Sequence, residues 1–376
     1  MDKLIPFNVP YVPEVSKKYV LEALESNHQQ GDGPFTAKAS KIISGLVGGG
    51  HVLLTPSCTH ALEMASMLAD IGPGDEVILP SYTFTSAATA VTKFGAKPVF
   101  VDIEMETKGI DVNQARDAIS PRTKAISWVN YAGVAPDIEG LQSLAKEFGL
   151  LLIEDNAHGL GGAYKGKPLG SFGDFATQSF HATKNIQCGE GGALVINNPD
   201  YVGRAEIIRE KGTNRSSFLL GQVEKYQWVD KGSSYLLAES LAAVLVGQLE
   251  CIESIQSARI QVWQNYRRLL GDSGSFQIPN FHHLNVNIAH MFYLVVESPE
   301  IRRNALTHLA ESNIVATSHY QPLHSSIAGN KFGFSKYDFK NSISLSERIL
   351  RLPVYIGLTD TNIGRITQLL LERTSM

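Results

Sequence analysis

Short apolar runs alternate with helix-period patterns through the first two-thirds of the chain. His51–Thr55 (HVLLT) is an apolar run of strand length. Behind it Ala61, Leu62, Met64, Ala65, Met67 and Leu68 recur at helical spacing. GPGDE at 72–76 is a turn. The pattern then predicts a strand at 77–79, a helix over 85–94 and strands at 98–103 (PVFVDI) and 125–130. A helix over 141–148 and a strand at 150–154 (LLLIE), running into Asp155, follow. Such β-α-β alternation predicts a mostly parallel sheet with helices on both faces. Ligands of open sheets bind beyond the carboxyl ends of the strands. TPSCT (55–59), PSYTF (80–84) and EDNAH (154–158) all lie at such ends.

From 236 to 270 the pattern is long and helical and is expected to lead out of the first domain. The remainder predicts a strand at 291–296, a helix over 302–312 and a closing helix over 362–371. The expectation is a large α/β domain over 1–250 and a smaller α+β domain over 251–376. The total of 376 residues also favours two cores over one.

Composition narrows the function classes. Apolar residues make up 43% and charged residues 19%, an ordinary globular balance. Thirty-three basic against thirty-seven acidic residues leave a net charge of −4, with no basic stripe for a nucleic acid. Three cysteines (Cys58, Cys188, Cys251) at no metal-like spacing argue for a reducing compartment and against a disulfide framework. The start, MDKLIPFNVP, lacks the apolar core of a signal peptide, and no run is long enough for a bilayer. A soluble cytoplasmic protein is expected, with no metal, membrane or nucleic-acid partner.

Four stretches could carry chemistry. In LLTPSCTHAL (53–62) a helix begins among Ser57, Cys58 and Thr59. Free N–H groups there suit a phosphate, although plain capping by Ser57 or Thr59 is the commoner fate of such residues. Asp155 ends an apolar strand. It reads either as a turn aspartate or as a buried carboxylate facing a cationic ligand such as a protonated heteroaromatic nitrogen. His158 has no second ligand at metal spacing, so a hydrogen-bonding or stacking role fits it better. Phe84 is either core or a face for a flat ring. In SFHATKN (179–185), Lys184 alone reads as a solvated lysine. Beside the other three stretches it reads as an amine for an aldehyde. Amine, carboxylate, aromatic face and phosphate cradle together match what pyridoxal 5′-phosphate requires.

With these stretches in hand, the chain resembles the DegT/DnrJ/EryC1/StrS sugar aminotransferases, which have the aspartate aminotransferase-like fold type I. The shared segments are GDGPFT (31–36), TPSCTHALEMA (55–65), GDEVILPSYTF (74–84), NYAGVAPDI (130–138), EDNAHG (154–159) and SFHATKN with GEGG (189–192). Further on they are REKGTNRS (209–216), GSSYLLAE (232–239), HYQPLH (319–324) and RLPVYIGLT (351–359). TPSC, REKGTNRS and GSSYL look most like dTDP-4-amino-4,6-dideoxygalactose transaminases, which work in enterobacterial common antigen and lipopolysaccharide O-antigen synthesis.

The resemblance implies roles. Lys184 would carry the cofactor and move the proton, Asp155 would hold the pyridine nitrogen, His158 the ring oxygen, and Phe84 would stack on the ring. Thr59, the N–H groups of Cys58 and His60, and Ser179 would bind the phosphate. Relatives add an asparagine from the partner subunit of a homodimer; Ser234 stands at that place here. Asn130 stands where a histidine is common. Lys211, Arg215, Tyr320 and His324 would contact the substrate; the basic loop 209–215 reads either as a site for its diphosphate or as a solvated loop. The implied reaction moves the amino group of L-glutamate to C4 of dTDP-4-keto-6-deoxy-D-glucose, releasing 2-oxoglutarate. A C3 aminotransferase, a gluco-product enzyme and a non-catalytic binding or regulatory protein on the same fold stay open. A dehydratase of this fold carries His in place of Lys184 and is disfavoured.

Overall fold

The computed structural model describes residues 3–271, 276–279 and 285–374. The main sheet begins with β1 (His51–Thr55), β2 (Glu76–Pro80), β3 (Lys97–Val101), β4 (Thr123–Val129) and β5 (Leu151–Asp155). After a small hairpin of β6 (Ala163–Tyr164) and β7 (Lys167–Pro168), it is completed by β8 (Phe175–Ser179) and β9 (Gly192–Ile196). The seven strands run in the order β1-β9-β8-β5-β4-β2-β3. β2 pairs parallel with β3 and β4, β4 with β5, and β5 with β8. β9 is antiparallel to both of its neighbours, β8 and β1. Two reversals restore direction, so β1 runs with the parallel set and β9 alone runs against it. The carboxyl ends of β1, β2, β4, β5 and β8 therefore share one edge.

Alternate side chains take opposite faces, as a pleated strand requires. Leu53, Leu79, Phe100 and Ile153 pack on one side under helices Cys58–Leu68 and Thr85–Thr92. Val52 and Leu54 pack on the other beneath helices Pro34–Leu46 and Glu239–Glu250. Ile78, Val99, Val101 and Leu152 continue that side beneath helix Ile138–Phe148.

A second, three-stranded antiparallel sheet consists of β10 (Phe276–Gln277), β11 (Phe292–Val296) and β12 (Ile349–Leu352). Helices Ile252–Leu270, Pro299–Glu311 and Asp360–Thr374 close its core, and Ile5 packs there from the start of the chain.

Most expected elements are present within two or three residues of their bounds. The long helical pattern from 236 to 270 is instead two helices, broken at Cys251 (φ −99°, ψ 11°). The first begins only at Glu239. That carboxylate is turned onto another helix start, accepting the N–H groups of Gly33, Phe35 and Thr36 at 3.0, 2.8 and 2.9 Å. A carboxylate on free helical N–H groups is stabilised by both the hydrogen bonds and the dipole.

Candidate active site

A cavity of about 350 Å³ opens at the shared strand edge, with walls from both sheets. Lys184 enters it from the β8–β9 connection. That connection continues the ladder: Phe180 N–H donates to Gly191 O, Cys188 N–H to Phe180 O and Ala182 N–H to Gly189 O, each at 2.8 Å. Gly189 makes the turn with φ +85°, a region open to glycine without penalty. Asn185 ties the loop to the segment leading into β11, donating to Ile288 O at 2.7 Å and meeting His290 Nδ1 at 3.1 Å. Burial lowers the Lys184 ammonium from 10.5 to about 8; the Arg351 charge pushes the same way and Asp155 opposes.

Asp155 is the last residue of β5 and is buried. Burial raises its carboxyl, offset by the Ala157 N–H at 3.1 Å and by Lys184. The Cys58 thiol lies 3.4 Å from Thr177 Oγ1 and 4.0 Å from Asp155 Oδ1. Burial pushes that thiol up, so it stays a neutral donor.

Ser57 caps helix Cys58–Leu68 by accepting the His60 N–H at 3.2 Å. Thr59 is thereby left to face the cavity, its hydroxyl 2.7 Å from that of Ser86 in the first turn of helix Thr85–Thr92. Two helix starts thus put hydroxyls and positive dipole ends at one wall, with Ser179 beside them. Phe84 leads into the second helix and is 55% exposed, its ring 6.0 Å from that of Tyr320. It lines the cavity and is not core.

His158 accepts the Ala132 N–H on Nδ1 at 3.3 Å. Burial, then the Lys184 charge, holds its pKa well below 6.5. The ring is therefore neutral with its proton on Nε2. It stacks on His290 at 4.3 Å between centroids. His319 is held down to about 2 by burial and Arg351, bonds Tyr131 at 2.7 Å and stacks on Tyr320 at 3.6 Å. Among the described residues no group of three or more His, Cys, Asp or Glu is arranged to hold a metal.

Of the residues singled out in the sequence, the cavity gathers Cys58, Thr59, Phe84, Asp155, His158, Ser179, Lys184 and Tyr320. Ser57 lines it too, whereas His60, Lys211, Arg215, Ser234, His324 and Asn130 lie outside it in this chain. The His60 ring sits against Ser57 Oγ and Tyr235. Lys211 and Arg215 both pair with the buried Glu210 carboxylate, at 2.7 and 3.1 Å. Ser234 is exposed and bridged to Glu210. His324 bonds Ser81 at 2.6 Å and stacks on Phe339. Asn130 is buried under the site. It accepts from Trp128 Nε1 at 3.1 Å and donates to Glu154 and Asn156 at 2.8 and 2.9 Å. Its amide supplies both a donor and an acceptor to that network.

Sequence reasoning missed His290 and Arg351 in the lining. Both come from the part of the chain that carries the second sheet. The signals for Arg351 were its place at the head of RLPVYIGLT and a charge inside the otherwise apolar strand ILRL.

The model of the DegT/DnrJ/EryC1/StrS aminotransferase family matches residues 11–371. The chain is 30% identical over 379 residues to the spore coat polysaccharide biosynthesis protein SpsC of Bacillus subtilis, covering 97% of this chain and 95% of that one. It superposes with a TM-score of 0.92 and 27% identity on the sugar aminotransferase Spr1654 of Streptococcus pneumoniae in its PMP form, covering 99% of both chains. DesI, solved with its TDP-sugar product, gives 0.90 and 26%, covering 100% of this chain and 94% of that one. Family model, fold and cavity agree: the chain belongs to the DegT/DnrJ/EryC1/StrS aminotransferase family.

Proposed function

We propose that the chain is a pyridoxal 5′-phosphate-dependent aminotransferase acting on a nucleotide-linked keto sugar. The substrate we assign is dTDP-4-keto-6-deoxy-D-glucose, with L-glutamate as donor and dTDP-4-amino-4,6-dideoxy-D-galactose as product. One observation carries the reading: the Lys184 amine and the buried Asp155 carboxylate share one cavity with hydroxyls from two helix starts.

These residues fit the cofactor. Lys184 has an amine that is partly neutral near pH 8 and suits its aldehyde. Asp155 would keep the pyridine nitrogen protonated. His158 would donate from Nε2 to the ring oxygen, and Phe84 would cover a ring face. Thr59, Ser86 and Ser179 would hold the phosphate. When bound, the cofactor supplies an electron sink for the pair left on carbon as a proton departs. Lys184 accepts that proton from the amine-bearing carbon of the donor and returns one to C4 of the sugar.

A homodimer accompanies this reading. Ser234 and the Arg215 segment lie outside their own cavity, on a stretch exposing Leu219, Leu220, Tyr226 and Trp228, and so could serve a partner's site. We place the domain boundary at 250/251, where one helix ends and the next begins. Three unpaired cysteines suit a cytoplasmic enzyme.

The test is the absorbance spectrum of the purified protein with the cofactor added, before and after borohydride, beside Lys184→Ala. A band at the edge of the visible that borohydride fixes to the Lys184 peptide is expected. Its absence in the wild type overturns the reading and favours the binding protein. NMR of the amino-sugar product then separates C4 from C3 chemistry and galacto from gluco.

A further inference from the structure

Asn130 follows β4 directly, at the point where Val129 pairs with Asp155. Its side chain is fully enclosed, and its hydrogen bonds are laid out around one short stretch. Nδ2 donates to Glu154 Oε1 at 2.8 Å and to Asn156 Oδ1 at 2.9 Å. Its backbone N–H donates to Asp155 O at 3.1 Å. Three consecutive residues are thus held from one position, with Asp155 in the middle. Oδ1 is engaged too, by Trp128 Nε1. The far ends of the network are tied down in turn. Glu154 accepts the N–H groups of Gly170 and Phe172 at 2.7 and 3.0 Å, and the Asn156 N–H donates to Thr177 O at 3.0 Å. The same residue opens the turn Tyr131–Gly133: the Gly133 N–H donates to Asn130 O at 3.0 Å, and Ala132 stands at φ +57°. A residue with a Cβ keeps such a conformation only where its surroundings impose it. The Ala132 N–H is the donor that holds His158 Nδ1.

A buried amide is unfavourable unless its donors and acceptor are matched, and apolar side chains of the same shape would fill the space as well. What an amide adds is direction. It fixes the end of β4 against the end of β5, and with it the turn that carries Ala132. Asn130 does not line the cavity. We propose that Asn130 is a positioning residue: through the strand ends it sets Asp155, and through the turn it sets His158, the two residues assigned above to the nitrogen and the oxygen of the cofactor ring. This rests on the aminotransferase reading above. Asp155 is faced by Lys184 from the β8–β9 connection and by Cys58 from the helix start, and its field reaches Tyr320. His158 feels Lys184, His290, His319 and Arg351. All of these charges and dipoles stay in place when Asn130 is replaced, because the amide is neutral. A change in proton affinity at the site then reports a displacement and not a lost charge.

The test sets Asn130→Ala and Asn130→Asp beside the wild type, with Ser342→Ala as the control for stability. Ser342 bonds the buried Asp102 and lies outside the cavity. In the cofactor-loaded protein the readout is the pH midpoint of the visible band. A ring nitrogen less well held by Asp155 gives up its proton more readily. The Lys184 nitrogen joined to the cofactor then keeps its own proton to higher pH, because two nearby positive charges oppose each other. Asn130→Ala is expected to raise the midpoint by about one pH unit, tenfold in proton affinity. Asn130→Asp keeps the size and the acceptor for Trp128 but cannot donate to both flanks. It should shift the midpoint the same way, and it carries the test where Asn130→Ala does not fold. Ser342→Ala should melt lower at an unchanged midpoint. In the cofactor-free protein, nitrogen NMR of the His158 ring, assigned against His158→Gln, reads the tautomer. The wild type should carry the proton on Nε2 alone, and the Asn130 variants should show a mixture. A wild-type midpoint or a wild-type tautomer in the folded Asn130 variants overturns the proposal, as does an equal shift in Ser342→Ala. If the wild type takes no cofactor, the aminotransferase reading fails by itself, and the tautomer still decides the role of Asn130.

Discussion

Lys184 shows how a residue gains its chemistry from its surroundings. In water its amine is charged at neutral pH; in the cavity burial brings it to about 8. Below that value it holds its proton and is unreactive, and above it is a free nucleophile. Trinitrophenylation of cofactor-free protein should therefore reach half its maximal rate at Lys184 near pH 8, read by peptide mapping. A midpoint near 10.5 would remove the burial account. The same shift has a stability consequence. Between about 8 and 10.5 the unfolded chain binds more protons at Lys184 than the folded one, so stability rises with pH there. Lys184→Met should flatten that rise in denaturant titrations. Asp155, Thr59 and Phe84 were legible in sequence because each stands beside a strand end or helix start, and Lys184 only in their company. His290 and Arg351 were not. Their chemistry depends on packing against residues more than a hundred positions away.

The elements around the site were legible where burial was purely apolar. HVLLT and LLLIE announce themselves; β8 does not, because FATQS places the polar Thr177 and Gln178 in the sheet's interior. Asn156 donates to Gln178 Oε1 at 3.3 Å, which pairs the amide oxygen, while Gln178 Nε2 is buried without a partner. The break at Cys251 carries no glycine or proline, so a continuous helical pattern hid two helices. Gly192, at the start of β9, marks where the hairpin meets the start of helix Cys58–Leu68. A Cβ there would stand 2.4 Å from Cys58 N and Ser57 C, which are backbone atoms and cannot rotate away. Gly192→Ala should displace the helix start, cost about 1–3 kcal/mol of stability, and weaken cofactor binding. Thermal melts and a cofactor titration check both. Unchanged affinity would mean the helix start does not hold the phosphate.

At the scale of the whole molecule, two sheets contribute to one cavity, and exposed apolar side chains project elsewhere. Trp228 is 80% exposed and Leu220 72%, close in sequence to Ser234. Large exposed apolar groups in a cluster mark a contact surface. Sedimentation should give twice the chain mass for the wild type and a smaller species for Trp228→Asp. A monomeric wild type with full activity would remove the shared-site picture. The presence of a second sheet was legible because the helical pattern after 236 separates two different strand regimes. The sharing of Ile5 with the second core was not, since one isoleucine carries no address.

The reversed strand has one more consequence. Because β9 turns back between β1 and β8, the Lys184 loop springs from strands paired on both sides. Its amides should be among the slowest to exchange with deuterium, while those near His319 and Tyr320 exchange faster. The nucleophile is then moored to the stiffest part of the protein. Adjustment between two differently shaped substrates falls to the opposite wall.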